Sequence, residues 1–437
     1  MRALPWVIVI VAFGLRGVSL LDQSFSLDEG YSAIFSRIPT ASIFRNAGLD
    51  SNPPVGNAFF HAWCGLVGYG PVLMRLPGVL ASVASLCVIW RLLRGLLPSS
   101  SLLFVLLFKA VSLYDILYAR QLRIYPFAEL SLVLSWLWLR RLVERPSRPA
   151  YLLWGAFSAL ACQLHYFCLL VVAATCLIAL AGFRARRAEV LKGCSVVALL
   201  VAPLSIPLYQ QLSSHRSFGW IAEPGTGTLL VAAYQLCGHS LVVLGLAIVL
   251  AFSAAIIRKP KTGKTGIQAE WPLAAPCIAL VAIVVGLAAS LSLAGGSFFH
   301  PRYFFFLQLP FLCLVSLGLS PFPSRAGVAI ALGTAGAALV PSFGYLSTAS
   351  SYPTGAQVLQ QVAPNLGDRA LVVHRTKCSF SVGQLYDRFR HEHRLLQGGG
   401  QSNVFSFPGL PPVYITQQEA SAAQEAVFLS ITEGCPS

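Results

Sequence analysis

Asp28 and Glu29 stand side by side in the stretch Ser26-Leu27-Asp28-Glu29-Gly30-Tyr31, just beyond the first long apolar run of the chain. Neighbouring carboxylates can supply a general base or ligands for a cation. Three further polar clusters interrupt the apolar background. Arg120, Arg123 and Tyr125 fall within residues 119–127, His165 and Tyr166 within 163–167, and His300, Arg302 and Tyr303 within 298–304. An arginine offers a planar fork that matches phosphate oxygens. A histidine can donate to, or accept from, a phosphate or a sugar hydroxyl. Carboxylates facing Arg and His suit a transfer reaction with a phosphate leaving group. The plainer alternatives are a solvated loop for the acids and head-group anchoring for each Arg or His at a helix end. They account for any one cluster more easily than for all of them on one side.

The elements that must position these residues are membrane spans. The chain has 437 residues, 56% hydrophobic and 11% charged, where a soluble globular protein carries roughly 25% charged residues. Eleven apolar segments are read, at 4–21, 72–90, 99–118, 124–139, 150–164, 167–182, 193–211, 227–257, 272–295, 303–320 and 326–345. With a cytoplasmic N-terminus, sixteen Lys and Arg fall at or between the inner ends and seven in the outer gaps before the tail. This is the positive-inside pattern. The net charge of +15 therefore reflects topology, and a nucleic-acid partner is set aside. Residues 4–21 lack a small-residue cleavage site and read as the first span, not a signal peptide. All four polar clusters then lie outside.

The expected architecture is an all-α polytopic membrane bundle of about eleven helices over residues 1–345, followed by a small extracytoplasmic α/β domain over 346–437. Residues 22–71 form a long first outer loop with amphipathic pieces suited to the membrane surface. In the tail, 370–374 and 413–416 read as strands, and a Gly-rich break falls at 397–403. Nine of eleven cysteines lie in or beside apolar runs, as small core residues do. Cys378 and Cys435 of the tail are open to pairing if that compartment is oxidising.

Asp28-Glu29-Gly30-Tyr31-Ser32 resembles the first-loop signature of bacterial polyprenyl-phosphate-sugar glycosyltransferases of the GT-C superfamily. These are relatives of the dolichyl-phosphate-mannose–protein mannosyltransferases and of the lipid A aminoarabinose transferase. Asn52-Pro53-Pro54 with His61-Ala62-Trp63, then Arg75-Leu76-Pro77, Arg123-Ile124-Tyr125, His165-Tyr166-Phe167 and Arg302-Tyr303 follow in the family's order across about residues 10–320. The resemblance implies a GT-C bundle in the bacterial inner membrane with its site at the outer face. It implies Asp28 as catalytic base, with Glu29 positioning Asp28 or an acceptor. Arg123, Tyr125, His165, Tyr166, His300, Arg302 and Tyr303 would hold the phosphate or sugar of the donor. Asn52, His61 and Arg75 would serve the acceptor or the frame of the site. The sequence departs from the pattern at Asn52, where His or Lys is usual, and at Gln121, where Glu is usual. No cofactor is certain, and a divalent metal ion is open.

The expected function is an inverting glycosyltransferase. It would move a sugar from a polyprenyl-phosphate carrier to an envelope lipid, glycan or protein outside the cytoplasm. The competing readings are a transporter or flippase for a lipid-linked sugar, which would place ionisable groups at the midplane, and a divergent inactive scaffold. Lys109, near the middle of the third apolar segment, must face the bundle interior or a wet cavity. Unpaired at that depth it would cost roughly 2.5–3.5 kcal/mol on the lenient insertion scale.

Overall fold

The computed structural model describes residues 4–18, 20, 26–45, 47, 52–213, 224–256, 273–294 and 299–348, and four strands in the tail. The helices, numbered among these residues, begin with α1 (Leu4–Gly17), α2 (Leu27–Arg37), α3 (Thr40–Arg45), α4 (Pro54–Val67) and α5 (Pro71–Leu93). Next come α6 (Ser99–Val111), α7 (Leu113–Ala119), α8 (Tyr125–Glu144), α9 (Arg148–Leu164) and α10 (Phe167–Gly182). They continue with α11 (Arg187–Val201), α12 (Ser205–Ser213), α13 (Thr226–Leu236), α14 (Leu241–Ile256) and α15 (Ala274–Leu293). A 3₁₀ helix, Pro301–Leu307, leads into α16 (Gln308–Leu317), and α17 is Ser324–Thr348. Proline sits in the first turn of α4, α5, α8 and α9, where its missing N–H costs nothing.

Among the described residues, each of the eleven apolar segments falls mainly on helix. Four stretches of the described residues are long and apolar enough to cross a membrane, and up to six if two bent pairs each count as one span. Ile10, Leu66, Leu199, Val340 and Phe343 are all more than two-thirds exposed, as lipid-facing side chains are. The chain is a multi-pass membrane protein.

The segment read as one span over 227–257 is in fact broken. α13 and α14 meet at 94°. Gly238 (φ 67°) and His239 (φ 60°) both adopt left-handed backbone, which ends a helix. The third segment is bent by 49° between α6 and α7 at Ser112.

Ionisable groups also lie inside the bundle, away from the outer clusters. Lys109 does face inward, and its Nζ pairs with Asp115 and Glu129 and donates to Gln308 Oε1 at 2.7 Å. Arg16 is also buried. It donates to Ser82 Oγ, Ala110 O and Lys109 O, each at 2.9 Å, and so ties α1 to the carbonyls at the end of α6. Two cations and two carboxylates balance within this cluster.

The tail carries β1 (Leu371–His374), β2 (Glu392–Leu396), β3 (Tyr414–Ile415) and β4 (Ala426–Leu429). They form one parallel sheet in the order β3-β2-β1-β4. The two strands read from the sequence are β1 and β3. Cys378, Cys435 and the Gly-rich 397–403 lie outside the described residues.

Candidate functional site

The site is built around the first turn of α2. Ser26 is its N-cap. Ser26 Oγ accepts from Glu29 N, and Glu29 Oε2 accepts from Ser26 N, at 3.3 and 2.9 Å. This is a capping box, which fixes where the helix starts. Successive helix residues point about 100° apart, so Asp28 and Glu29 part company.

Glu29 turns inward and is fully buried. Its two oxygens accept from Arg75 Nε at 2.8 Å and Nη2 at 3.0 Å, and Oε1 also accepts from Leu122 N at 3.0 Å. Arg75 further donates to Leu20 O at 3.2 Å. One carboxylate thereby joins α2, α5 and the turn after α7. Gly78 allows that closeness, since a Cβ there would lie 2.9 Å from Ala119 O. With four donors already on its oxygens, Glu29 is held within the frame of the site, in keeping with the positioning part the resemblance implies for it. Arg75 belongs to the frame for the same reason.

Asp28 turns outward, with 40% of its side chain exposed. Its Oδ2 accepts from Arg302 Nη1 at 2.8 Å, and Arg123 Nη2 lies 3.8 Å away. Arg123 also donates to Asp28 O and Ser32 Oγ, both at 3.3 Å. His300 Nδ1 accepts from Arg302 N at 3.2 Å and Nε at 3.3 Å. Residues 274 positions apart in the chain, Asp28 and Arg302, thus share one mouth. The neighbouring wall is aromatic. His165 contacts Tyr125, Tyr303 and Phe306 at ring separations of 5.2, 4.9 and 5.0 Å.

The remaining expected residues are less central. Tyr166 is buried at the start of α10. His61 Nδ1 lies 2.7 Å from Ser36 O and so fastens α4 to α2. Asn52 is half-buried just before α4.

Electrostatics follow from this geometry. Arg123, then Arg302 and His300, hold the Asp28 carboxyl below its ordinary range, against the opposing effect of burial. Burial and Arg302 push His300 down to about 4. Burial, Arg123 and Arg302 push His165 down to about 3. Both imidazoles are therefore neutral at pH 7. His165 Nδ1 accepts from Phe167 N at 3.1 Å, as His300 Nδ1 does from Arg302, so each ring carries its proton on Nε2. The site offers one ionised carboxylate, two guanidinium groups and the neutral imidazole of His300, with the His165 Nε2 buried in the wall behind them.

Two cations flank the Asp28 carboxylate, Gln121 stands where the resemblance would supply a carboxylate, and among the described residues no group of three His, Cys, Asp or Glu could hold a metal.

The first prediction concerns pH. A carboxyl held low by cations stays ionised further into acid, so the acid limb of kcat/KM should lie below that of an ordinary aspartate. Arg123→Ala removes the largest of those influences. The limb should then move to higher pH, and the plateau above pH 7 should fall as well, because Arg123 would also face the leaving phosphate. A limb that stays put would mean that Asp28 is not the group being titrated.

Residues 51–208 match the family model described as dolichyl-phosphate-mannose-protein mannosyltransferase. No curated protein matches the chain by sequence. The structure is similar to ArnT from Cupriavidus metallidurans bound to undecaprenyl phosphate. The TM-score is 0.63 at 13% identity, over 92% of this chain and 87% of that one. This protein has the GT-C fold. ArnT in the apo state gives a TM-score of 0.61 at 15% identity over the same shares. Within the GT-C fold, the similarity extends far beyond the region matched by the family model, which ends before α12 is complete. Glu129, Arg16 and Gln308 of the GT-C bundle went unnoticed in the sequence. The available signal was their polarity inside otherwise apolar spans.

Proposed function

We propose that the protein is an inverting glycosyltransferase of the inner membrane, moving a sugar from a polyprenyl-phosphate carrier to an acceptor outside the cytoplasm. The observation that carries this reading is the half-exposed Asp28 carboxylate within 2.8 Å of Arg302 and 3.8 Å of Arg123, on the fold of ArnT. In one displacement, Asp28 takes the proton of an acceptor hydroxyl. The acceptor oxygen bonds to the anomeric carbon while the bond from that carbon to the phosphate oxygen breaks. The electron pair leaves with the polyprenyl phosphate, whose growing charge Arg302 and Arg123 offset. Neutral His300 can donate from Nε2 to phosphate or sugar oxygens. The deciding experiment compares lipid-linked sugars and envelope glycans in wild-type and deletion strains by mass spectrometry. Accumulation of one polyprenyl-phosphate sugar with loss of one envelope modification supports the reading. Unchanged lipids and glycans would refute it.

The site's side of the membrane is tested by labelling single cysteines with Cys378 and Cys435 replaced by serine. Thr40 and Arg186 are both exposed, while the nine described native cysteines are buried or half-buried. Thr40→Cys should react with an impermeant maleimide in intact cells, and Arg186→Cys only after lysis. The reverse pattern would put the mouth in the cytoplasm.

A further inference from the structure

The segment that carries Arg302 has an unusual conformation. Pro301–Leu307 is seven residues of 3₁₀ helix, whereas such runs seldom exceed three or four residues because their hydrogen bonds are poorly aligned. A run this long needs holding from outside, and the bent pair α6–α7 grips it at both ends. At its start, the Tyr114 hydroxyl is shared between Pro301 O at 3.1 Å and Arg302 O at 3.2 Å. At its end, Gln308 Oε1 accepts from Lys109 Nζ at 2.7 Å. Between them, the Lys109 ammonium lies 5.0 Å from the centre of the Phe305 ring.

Charge pairing alone does not explain that arrangement. An ammonium has three N–H donors. One goes to Glu129, and Asp115 adds a second carboxylate to the ion pair. Another still goes to a neutral amide, on the residue that directly follows the 3₁₀ helix. We propose that Lys109 and Gln308, with Tyr114, form a strut that keeps 301–307 in 3₁₀ form and thereby sets Arg302 against Asp28. These are positioning residues. The inference rests on the reading of Arg302 as a ligand of the donor phosphate.

Rise per residue gives the size of the effect. A 3₁₀ helix climbs about 2.0 Å per residue and an α-helix about 1.5 Å. Relaxation of the seven residues to α-helix, with Gln308 fixed, would draw Arg302 back by roughly 3 Å. That exceeds the slack of a 2.8 Å contact with Asp28 and would turn the guanidinium as well.

The test is a double-mutant cycle on the full chain in detergent, with a polyprenyl monophosphate as the binding probe and thermal unfolding as the control. Gln308→Met removes the acceptor but leaves both ion pairs of Lys109. Its affinity for the probe should fall about tenfold, the loss of one charge-assisted contact, with a fall of only a few degrees in unfolding temperature. Tyr114→Phe should act in the same direction, and replaces Gln308→Met if the latter does not fold. In an Arg302→Lys background, either change should add less than a factor of about two, because residues acting through one another are not additive. Losses that multiply in the double variant, or a Gln308→Met protein that binds as wild type, would overturn the strut. Wild-type protein that ignores the probe would instead refute the donor reading, and the strut with it. An Arg302→Lys protein with wild-type affinity, beside a weakened Gln308→Met, would show that the strut acts elsewhere than through Arg302.

Discussion

Asp28→Asn should abolish sugar transfer while leaving the protein folded and able to bind a polyprenyl monophosphate. The amide keeps the size of the side chain and an oxygen that can still accept from Arg302, but it cannot take a proton. General base catalysis contributes typically 10²–10⁴-fold, and kcat should fall by about that factor. Because Asp28 is substantially exposed, its substitution leaves no buried group without a partner. The measurement is single-turnover transfer from a polyprenyl-phosphate sugar, alongside probe binding and thermal unfolding. Turnover within a factor of about three of wild type would remove Asp28 as the base, since that lies far below the contribution of a general base.

Glu29→Gln should do the opposite, with its main effect on stability. Glu29 and Arg75 are both fully buried and joined by two hydrogen bonds. Losing one charge of such a pair typically costs about 3–5 kcal/mol, because the partner is left uncompensated. The glutamine amide would also point two N–H groups at a site where Arg75 Nε, Arg75 Nη2, Leu122 N and Ser26 N all donate. A large drop in unfolding temperature is expected, together with loss of activity that follows the unfolded fraction. Arg75→Met in the same chain should recover part of the stability by removing the stranded cation. A Glu29→Gln protein of normal stability with impaired turnover would restore Glu29 to the chemistry.

The contrast between two adjacent acids shows where sequence reading stops. Both are carboxylates in one outer loop, and residue type alone makes them equivalent. A helix beginning at Leu27 separates them, and the Ser-x-x-Glu spacing that starts it is a capping-box signal the sequence reading passed over. The spans were legible because bilayer thickness imposes long apolar runs. Counting charges put Arg302 and the first loop on one side of the membrane as an expectation, and packing shows their contact. The break between α13 and α14 lay behind a Gly-His-Ser step in a run apolar enough to read as continuous. The buried cluster was half legible. Lys109 demanded partners, but Glu129 and Gln308 lie 20 and 199 positions away, and only packing reveals such pairings. The seven-residue 3₁₀ helix was not read from the sequence, because the side chains that touch it, Lys109 and Tyr114 among them, come from segments far away in the chain.

Arg302 faces two claims. In the structure described, its Nη1 is given to Asp28, yet the proposed chemistry needs that guanidinium for a phosphate. While the salt link holds, the base is weakened: Oδ2 is engaged by Arg302, and the flanking cations lower the carboxylate's affinity for a hydroxyl proton. An arriving polyprenyl phosphate competes for the same arginine, and in winning it sets the carboxylate free and raises its proton affinity. Donor would then precede acceptor in order of arrival, and an idle protein would leave passing hydroxyls untouched. The molecule would be its own safety catch, released by the substrate it is built to discharge.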